Sequence, residues 1–278
     1  MVPLLKTVTL TEVMKMPKQA RGEVIDPNEV HILHCIAECV SKSWLCGTDP
    51  ATGECFEHRR GWIRDRIEFL ASGFAIDCLT FSIMSNHLYL VLRSRPDVVA
   101  AWSDEEVAQR WLRLFPACRN SDGSPAVPTT AELNTILNQP EVLASRRQRF
   151  SDVSWHRRCL AENIVRRSNA EDSVTGHFWE GRFRAQVLLY EASLLACAAY
   201  VDLNPIRAAM AETPESSKYT GAKDRIGLNT HAWCDVVSRF GRVFERAAGS
   251  PEHLAEEAGR RGQGWLCARN NPLGISSA

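Results

Sequence analysis

The chain has 278 residues and a mass of 31.1 kDa, long enough to bury a real core as one large domain or two small ones. It is 45% hydrophobic and 24% charged, which excludes a disordered, collagen-like or coiled-coil chain. Thirty-three Lys and Arg residues balance 33 Asp and Glu, so net charge gives no support for a nucleic-acid partner and leaves only a local patch.

Residues 1–28 read as an arm, with Pro17 and Pro27 near its end. VHILHCIAECV (30–40) alternates like a strand. Val30, Ile32, His34 and Ile36 lie on one face; Leu33, Cys35, Ala37 and Cys39 lie on the other. CGTDPATGE is a loop by its Gly, Pro and Asp content. Phe56–Phe74 carries Trp62, Arg66, Phe69 and Leu70 at helical spacing and ends at Gly73. AIDCLTFSIM (75–84) and LYLVLR (88–93) are strands joined by a tight Ser85-Asn86 turn, so they pair antiparallel. SDEEVAQRWLRLF (103–115) opens on a capping serine followed by early acids. Residues 116–140 read as an inserted loop with a short helix at AELNTIL, and a longer helix is expected over roughly 141–168. HFWEGRFRAQVLLY (177–190) turns from loop into strand. EASLLACAAYVDLN (191–204) is a helix expected to stop at Pro205. Residues 211–230 read as loop, VVSRFGRVFERA as a helix, and the last thirty or so residues as a weakly ordered tail.

The order β, α, β, β, α, β, α gives the ferredoxin-like βαββαβ pattern once the insertion (about 95–176) is set aside. The fold class is therefore α+β: an antiparallel sheet with helices on one face, an inserted helical segment and a C-terminal helical extension (211–278). The longest apolar run, LLACAAYV around Ala198, is far short of the ~18 residues that a membrane span needs. The N-terminus carries no charged segment ahead of its apolar residues, so the expected setting is cytoplasmic. The ten cysteines include no CxxC. Cys35, Cys39, Cys46 and Cys55, with His31 and His34, are the one group for which zinc can be argued. Their spacing fits no standard zinc pattern, so buried thiols are the expectation and a Cys/His metalloprotein the rival reading.

Three segments carry chemistry. In MSNHLYLVL (84–92), His87 and Tyr89 are two apart on a strand and share a face. FWEGRFRAQVL (178–188) enters the last strand. In AYVDLNPIRA (199–208), Tyr200 and Asn204 are i, i+4 neighbours on a helix. Each residue has an ordinary structural reading on its own: a turn histidine, a core tyrosine, a helix-stop asparagine. Together and in this order, MSNHLY, FWEGRF and YVDLNPIR resemble the single-tyrosine HUH transposases, in particular the REP-associated tyrosine transposases and their insertion-sequence relatives. The resemblance spans roughly residues 29–210.

That resemblance implies the ferredoxin-like sheet and a DNA strand transfer. The tyrosine oxygen attacks phosphorus in single-stranded or hairpin DNA, leaving a 5′-phosphotyrosine and a free 3′-OH. A free phenol titrates near ~10 and is a weak nucleophile at neutral pH, so the family places a divalent ion, Mg²⁺ or Mn²⁺, beside the phosphate. Carried over, Tyr200 is the nucleophile, His87 a metal ligand and Asn204 the third ligand. The second histidine of the motif is replaced by Tyr89, and a neutral phenol is a poor ligand for a hard ion. The site is then either impaired, or completed by a donor from elsewhere such as His177 or Glu180. The rival to the enzyme is a non-catalytic DNA-binding descendant. Residues 141–184 hold nine arginines against six carboxylates, an excess of three. Arg157, Arg158, Arg182, Arg184 and Arg207 are the expected phosphate contacts, and Trp155 and Trp179 have rings that unpaired bases could stack on. Homodimerisation is common among the insertion-sequence relatives, while several REP-associated members act as monomers, so the oligomeric state stays open.

Overall fold

The computed structural model describes residues 25–40, 44–121 and 123–227. Most of the expected arm, the helix at VVSRFGRVFERA and the tail lie outside the described residues. Four strands, β1 (Ile32–Glu38), β2 (Ile76–Ile83), β3 (His87–Ser94) and β4 (Arg184–Val187), form one sheet in the order β2-β3-β1-β4. Every neighbouring pair is antiparallel. Helix α1 (Arg59–Gly73) links β1 to β2. Helices α2 (Pro96–Ala100), α3 (Asp104–Leu114), α4 (Thr130–Leu137), α5 (Pro140–Arg149) and α6 (Val153–Glu171) lie between β3 and β4, and α7 (Glu191–Arg207) and α8 (Gly221–Gly227) follow. Among the described residues, no helix is long and apolar enough to cross a membrane.

Strand alternation divides the core in two. Leu33 and Cys35 of β1 and Leu88, Leu90 and Leu92 of β3 turn to one side, where Ile63, Ile67 and Leu70 of α1 and Leu160 and Ile164 of α6 cover them. Ile32 of β1 and Tyr89 and Val91 of β3 turn to the other, where Leu194, Cys197 and Val201 of α7 close the layer. The expectation of helices on one face is therefore corrected. The crossover helices share a face, but α7 covers the opposite one, because its apolar stripe pairs with the second face of β1 and β3.

Three boundaries also differ. The helix expected over 141–168 is two helices. Asp152 caps α6, its Oδ1 accepting from the backbone N–H of Ser154 at 2.7 Å and of Trp155 at 3.2 Å, and a cap of this kind starts a new helix. Pro205 does not stop α7, which runs on to Arg207. Proline there removes only the bond to the Val201 carbonyl, and the helix closes one turn later through Ala208 N–H to Asn204 O. The expected loop at 211–230 contains α8. This helix is fastened to the sheet by Arg225, which pairs with Asp202 of α7, whose other oxygen accepts from Thr80 of β2 at 2.6 Å. Gly221 at the start of α8 lies so close to Thr80 that a Cβ there would run into the threonine hydroxyl.

Candidate active site

The register of the sheet collects one polar row beneath α7. Across β1 and β3, Glu38 stands opposite His87, Ile36 opposite Tyr89 and His34 opposite Val91. On the flanks, Ser82 of β2 pairs with Tyr89, Arg184 of β4 with Ile36, and Gln186 with His34. Directly paired residues share a face, so His34, Glu38, His87, Tyr89, Arg184 and Gln186 all belong to the α7 side. The β2–β3 turn is held from outside: Leu45 and Cys46 N–H donate to the Ser85 carbonyl at 2.8 and 3.0 Å, and Cys39 N–H to that of Asn86 at 2.9 Å. This fixes the start of β3 and so the position of His87.

The two expected motifs meet at this row. Tyr200 stands edge-on to Tyr89, ring centroids 6.0 Å apart, and edge-on to His34 at 6.4 Å. His87, Tyr89 and His34 form a stack of near-parallel rings, with centroids 5.8 and 6.1 Å apart. Arg207 lies 5.0 Å from the Tyr200 ring centroid, and Asn204 is buried between them on the helix. Burial pushes the Tyr89 phenol up to about 12, with the Tyr200 phenol acting in the same direction and the Asn204 amide against it. Tyr89 is thus neutral at physiological pH. Burial pulls the His34 imidazole down to about 4, so it is neutral as well.

Sequence reasoning left out His34 and Glu38 as members of this site. The alternation of β1 marks both as polar residues on an apolar face, but their meeting with β3 depends on a pairing between strands about fifty residues apart. Glu38 matters most. His87 Nδ1 lies 2.8 Å from Asn86 Oδ1, and its Nε2 lies 3.3 Å from Glu38 Oε1. The ring thus presents Nε2 to a carboxylate oxygen and Nδ1 to the Asn86 amide. An imidazole and a carboxylate also suit a hard or borderline divalent ion. His34 cannot supply the missing second imidazole. It lies four positions along the ladder from His87, about 13 Å at ~3.3 Å per residue. Among the described residues, no group of three or more His, Cys, Asp or Glu side chains is arranged to hold a metal ion.

The remaining expected residues fall in different places. Arg184 and Arg207 lie exposed beside the row, and Arg182 is exposed just before β4. Arg158 is exposed on α6 and paired with Glu162 at 2.7 Å. Arg157 is corrected: it is buried, 2% exposed, with its guanidinium 5.3 Å from the Phe183 ring, so it presents no surface to DNA. Trp179 is half-buried against α6, its Nε1 donating to the Ala161 carbonyl at 3.5 Å, and it belongs to the core on the far side of the sheet. The backbone of Glu180 donates to the Glu38 carbonyl at 2.9 Å, which puts it next to the row, whereas His177 is exposed in the loop before it. Cys35, Cys39 and Cys46 are buried core thiols and Cys55 is exposed. Burial pushes Cys46 up to about 12 and Cys39 higher, so both stay as thiols.

No family model matches the sequence. No curated protein matches it either. A solved structure described as that of a REP-associated tyrosine transposase bound to a REP hairpin is similar over 71% of this chain and 79% of its own, with 7% identity and a TM-score of 0.41. A likeness of that size establishes neither a family nor an activity.

Proposed function

We propose that this chain is a single-tyrosine DNA strand transferase of the HUH type, built on a ferredoxin-like sheet and acting on single-stranded or hairpin DNA. One observation carries the reading. The helix motif with Tyr200, Asn204 and Arg207 and the strand motif with His87 and Tyr89, more than a hundred residues apart in sequence, meet with 6.0 Å between the Tyr89 and Tyr200 rings.

In this reading the Tyr200 oxygen gives its proton to solvent and attacks phosphorus in line, the P–O3′ bond breaks and the leaving oxygen takes a proton from solvent to become the 3′-OH, and the 5′ phosphate remains on the tyrosine until a second 3′-OH displaces it by the reverse exchange. Arg207, over the Tyr200 ring, and Arg184, along the sheet edge, supply positive charge for the phosphate and for the oxygen that attacks it. Burial holds the His34 imidazole down to about 4, which makes it a weak base for the phenol proton. Its place is structural: a neutral ring against which Tyr89 stacks.

A divalent ion, Mg²⁺ or Mn²⁺, when bound, neutralises the phosphate and fixes its orientation. His87 and Glu38 would hold it, with Asn204 as the third donor that the family resemblance implies. Tyr89, neutral and engaged with Tyr200 and Asn204, would contribute no strong ligand, so the ion would be held weakly. Tyr89 also favours a second reading, in which the protein binds such DNA and no longer cuts it. Incubation with hairpin-bearing single-stranded DNA and Mn²⁺ separates the two. The enzyme forms a covalent protein–DNA adduct that Tyr200→Phe abolishes. Hairpin binding without any adduct supports the second reading instead.

A further inference from the structure

On the far side of the sheet from Tyr200, the inserted helices build a second feature that the proposed chemistry does not use. Trp111 of α3 and Trp155 of α6 stack with ring centroids 6.4 Å apart and 18° between planes, and Phe115 leans on Trp111 at 4.6 Å. All three rings are half-buried, packed against the core on their inner side. Guanidinium groups are threaded between them. Arg146 lies 4.9 Å from the Trp111 ring, Arg149 lies 5.7 Å from Trp111 and 4.2 Å from Trp155, and Arg158 lies 5.2 Å from Trp155.

The charge here is poorly balanced. Among the described residues, Arg146 and Arg149 have no carboxylate within ion-pair distance, and Arg158 shares Glu162 with Arg166. Arg146 is held below the usual guanidinium range by burial and by the charge of Arg149. Arg158 is paired with an acid at i, i+4 as on an ordinary solvated helix face. Arg146 and Arg149 instead crowd two like charges against aromatic rings, an arrangement that an anionic partner with planar groups would relieve.

We propose that the Arg146–Trp111–Arg149–Trp155–Arg158 ladder is a binding platform for single-stranded nucleic acid, separate from the Tyr200 site. Unpaired bases stack on the exposed parts of the tryptophan rings while the arginines contact phosphates. A duplex keeps its base faces stacked and offers none to the tryptophans, and an acidic peptide has the charge without the rings.

The test is fluorescence anisotropy of the full chain with a labelled oligothymidine 12-mer, in an Arg184→Ala, Arg207→Ala background so that the other face contributes little. Trp155→Ala and Arg149→Gln should each weaken binding, the tryptophan change by about tenfold for a lost stacked base. A 12-mer with abasic residues, equal in charge, should bind at least tenfold more weakly than the thymidine strand, and blunt duplex more weakly still. Trp155→Phe keeps a ring and packing and should retain most of the affinity, which separates stacking from a damaged fold. Abasic and thymidine strands binding alike, or Arg149→Gln and Trp155→Ala binding as the parent does, would overturn the proposal. Equal competition by polyglutamate would do the same. None of these outcomes depends on whether Tyr200 forms an adduct.

Discussion

Replacing Tyr89 with histidine would place a second imidazole two residues from His87 on the same face of β3. Tyr89 is 9% exposed and lies between His34, His87 and Tyr200. The smaller ring loses about two buried heavy atoms and leaves a small void, at a cost of about 1–2 kcal/mol. For a domain of this size that lowers Tm by roughly 3–6 °C, short of unfolding it. In the proposed site the ion would gain a nitrogen ligand beside His87 and Glu38. Loss of an outer partner alone typically costs 10–100-fold in metal affinity, so a gained direct ligand should tighten Mn²⁺ binding by at least ~10-fold. Calorimetric titration with Mn²⁺ reads the affinity, and adduct yield at limiting Mn²⁺ reads the consequence. Tyr89→Phe is the control, since it removes the hydroxyl and adds no ligand. If Tyr89→His binds Mn²⁺ no tighter and cuts no faster than the parent, position 89 is not where the ion is short of a donor.

Three further outcomes follow from the same geometry. Glu38→Gln should weaken Mn²⁺ binding by about tenfold or more with little change in Tm, because the carboxylate is part-exposed and its strand is otherwise intact; unchanged affinity would remove Glu38 from the site. Arg225→Met leaves Asp202 buried without its cation and should cost about 3–5 kcal/mol. Burial already raises the Asp202 carboxyl, so the folded variant takes up a proton more readily than the unfolded chain. The deficit should therefore shrink between pH 7 and pH 5, and urea melts showing the same deficit at both would contradict it. His34 is held down to about 4 by burial, so its contribution to stability is complete above ~6.5 and is lost as pH falls toward 4, about 3 kcal/mol in all. His34→Leu should flatten that part of the acid-denaturation profile, and a profile that keeps its slope would refute the assignment.

Local signals in the sequence were good guides wherever structure is local. Ser103 caps α3, accepting from Glu106 N–H at 3.1 Å as its SDEE context implies, and the β2–β3 hairpin lies where the alternation and the Ser85-Asn86 turn put it. Asp152 was hidden in an arginine-rich run with helical composition on both sides, so the α5–α6 break was not visible. Pro205 read as a stop because its neighbours argue for one, and only the position of the missing hydrogen bond shows why the helix continues. His87, Tyr89, Tyr200 and Asn204 stand out in the sequence by motif spacing, and in the structure they lie near one another. His34 and Glu38 do not stand out, because their membership of the site depends on the register of β1 against β3. The second covered face of the sheet was missed for a related reason. Periodicity shows that a helix has an apolar stripe, but not which side of a sheet receives it.

The chain contains four tyrosines: Tyr89, Tyr190, Tyr200 and Tyr219. Tyr190 is 72% exposed at the start of α7, Tyr219 lies between α7 and α8, and Tyr89 is buried with its ring edge-on to Tyr200. The most direct measurement is therefore mass spectrometry of the peptide that carries DNA after incubation with a hairpin-bearing single strand and Mn²⁺. The account predicts a single modified peptide, with the nucleotide remnant on Tyr200. A remnant on Tyr89, Tyr190 or Tyr219 would contradict it.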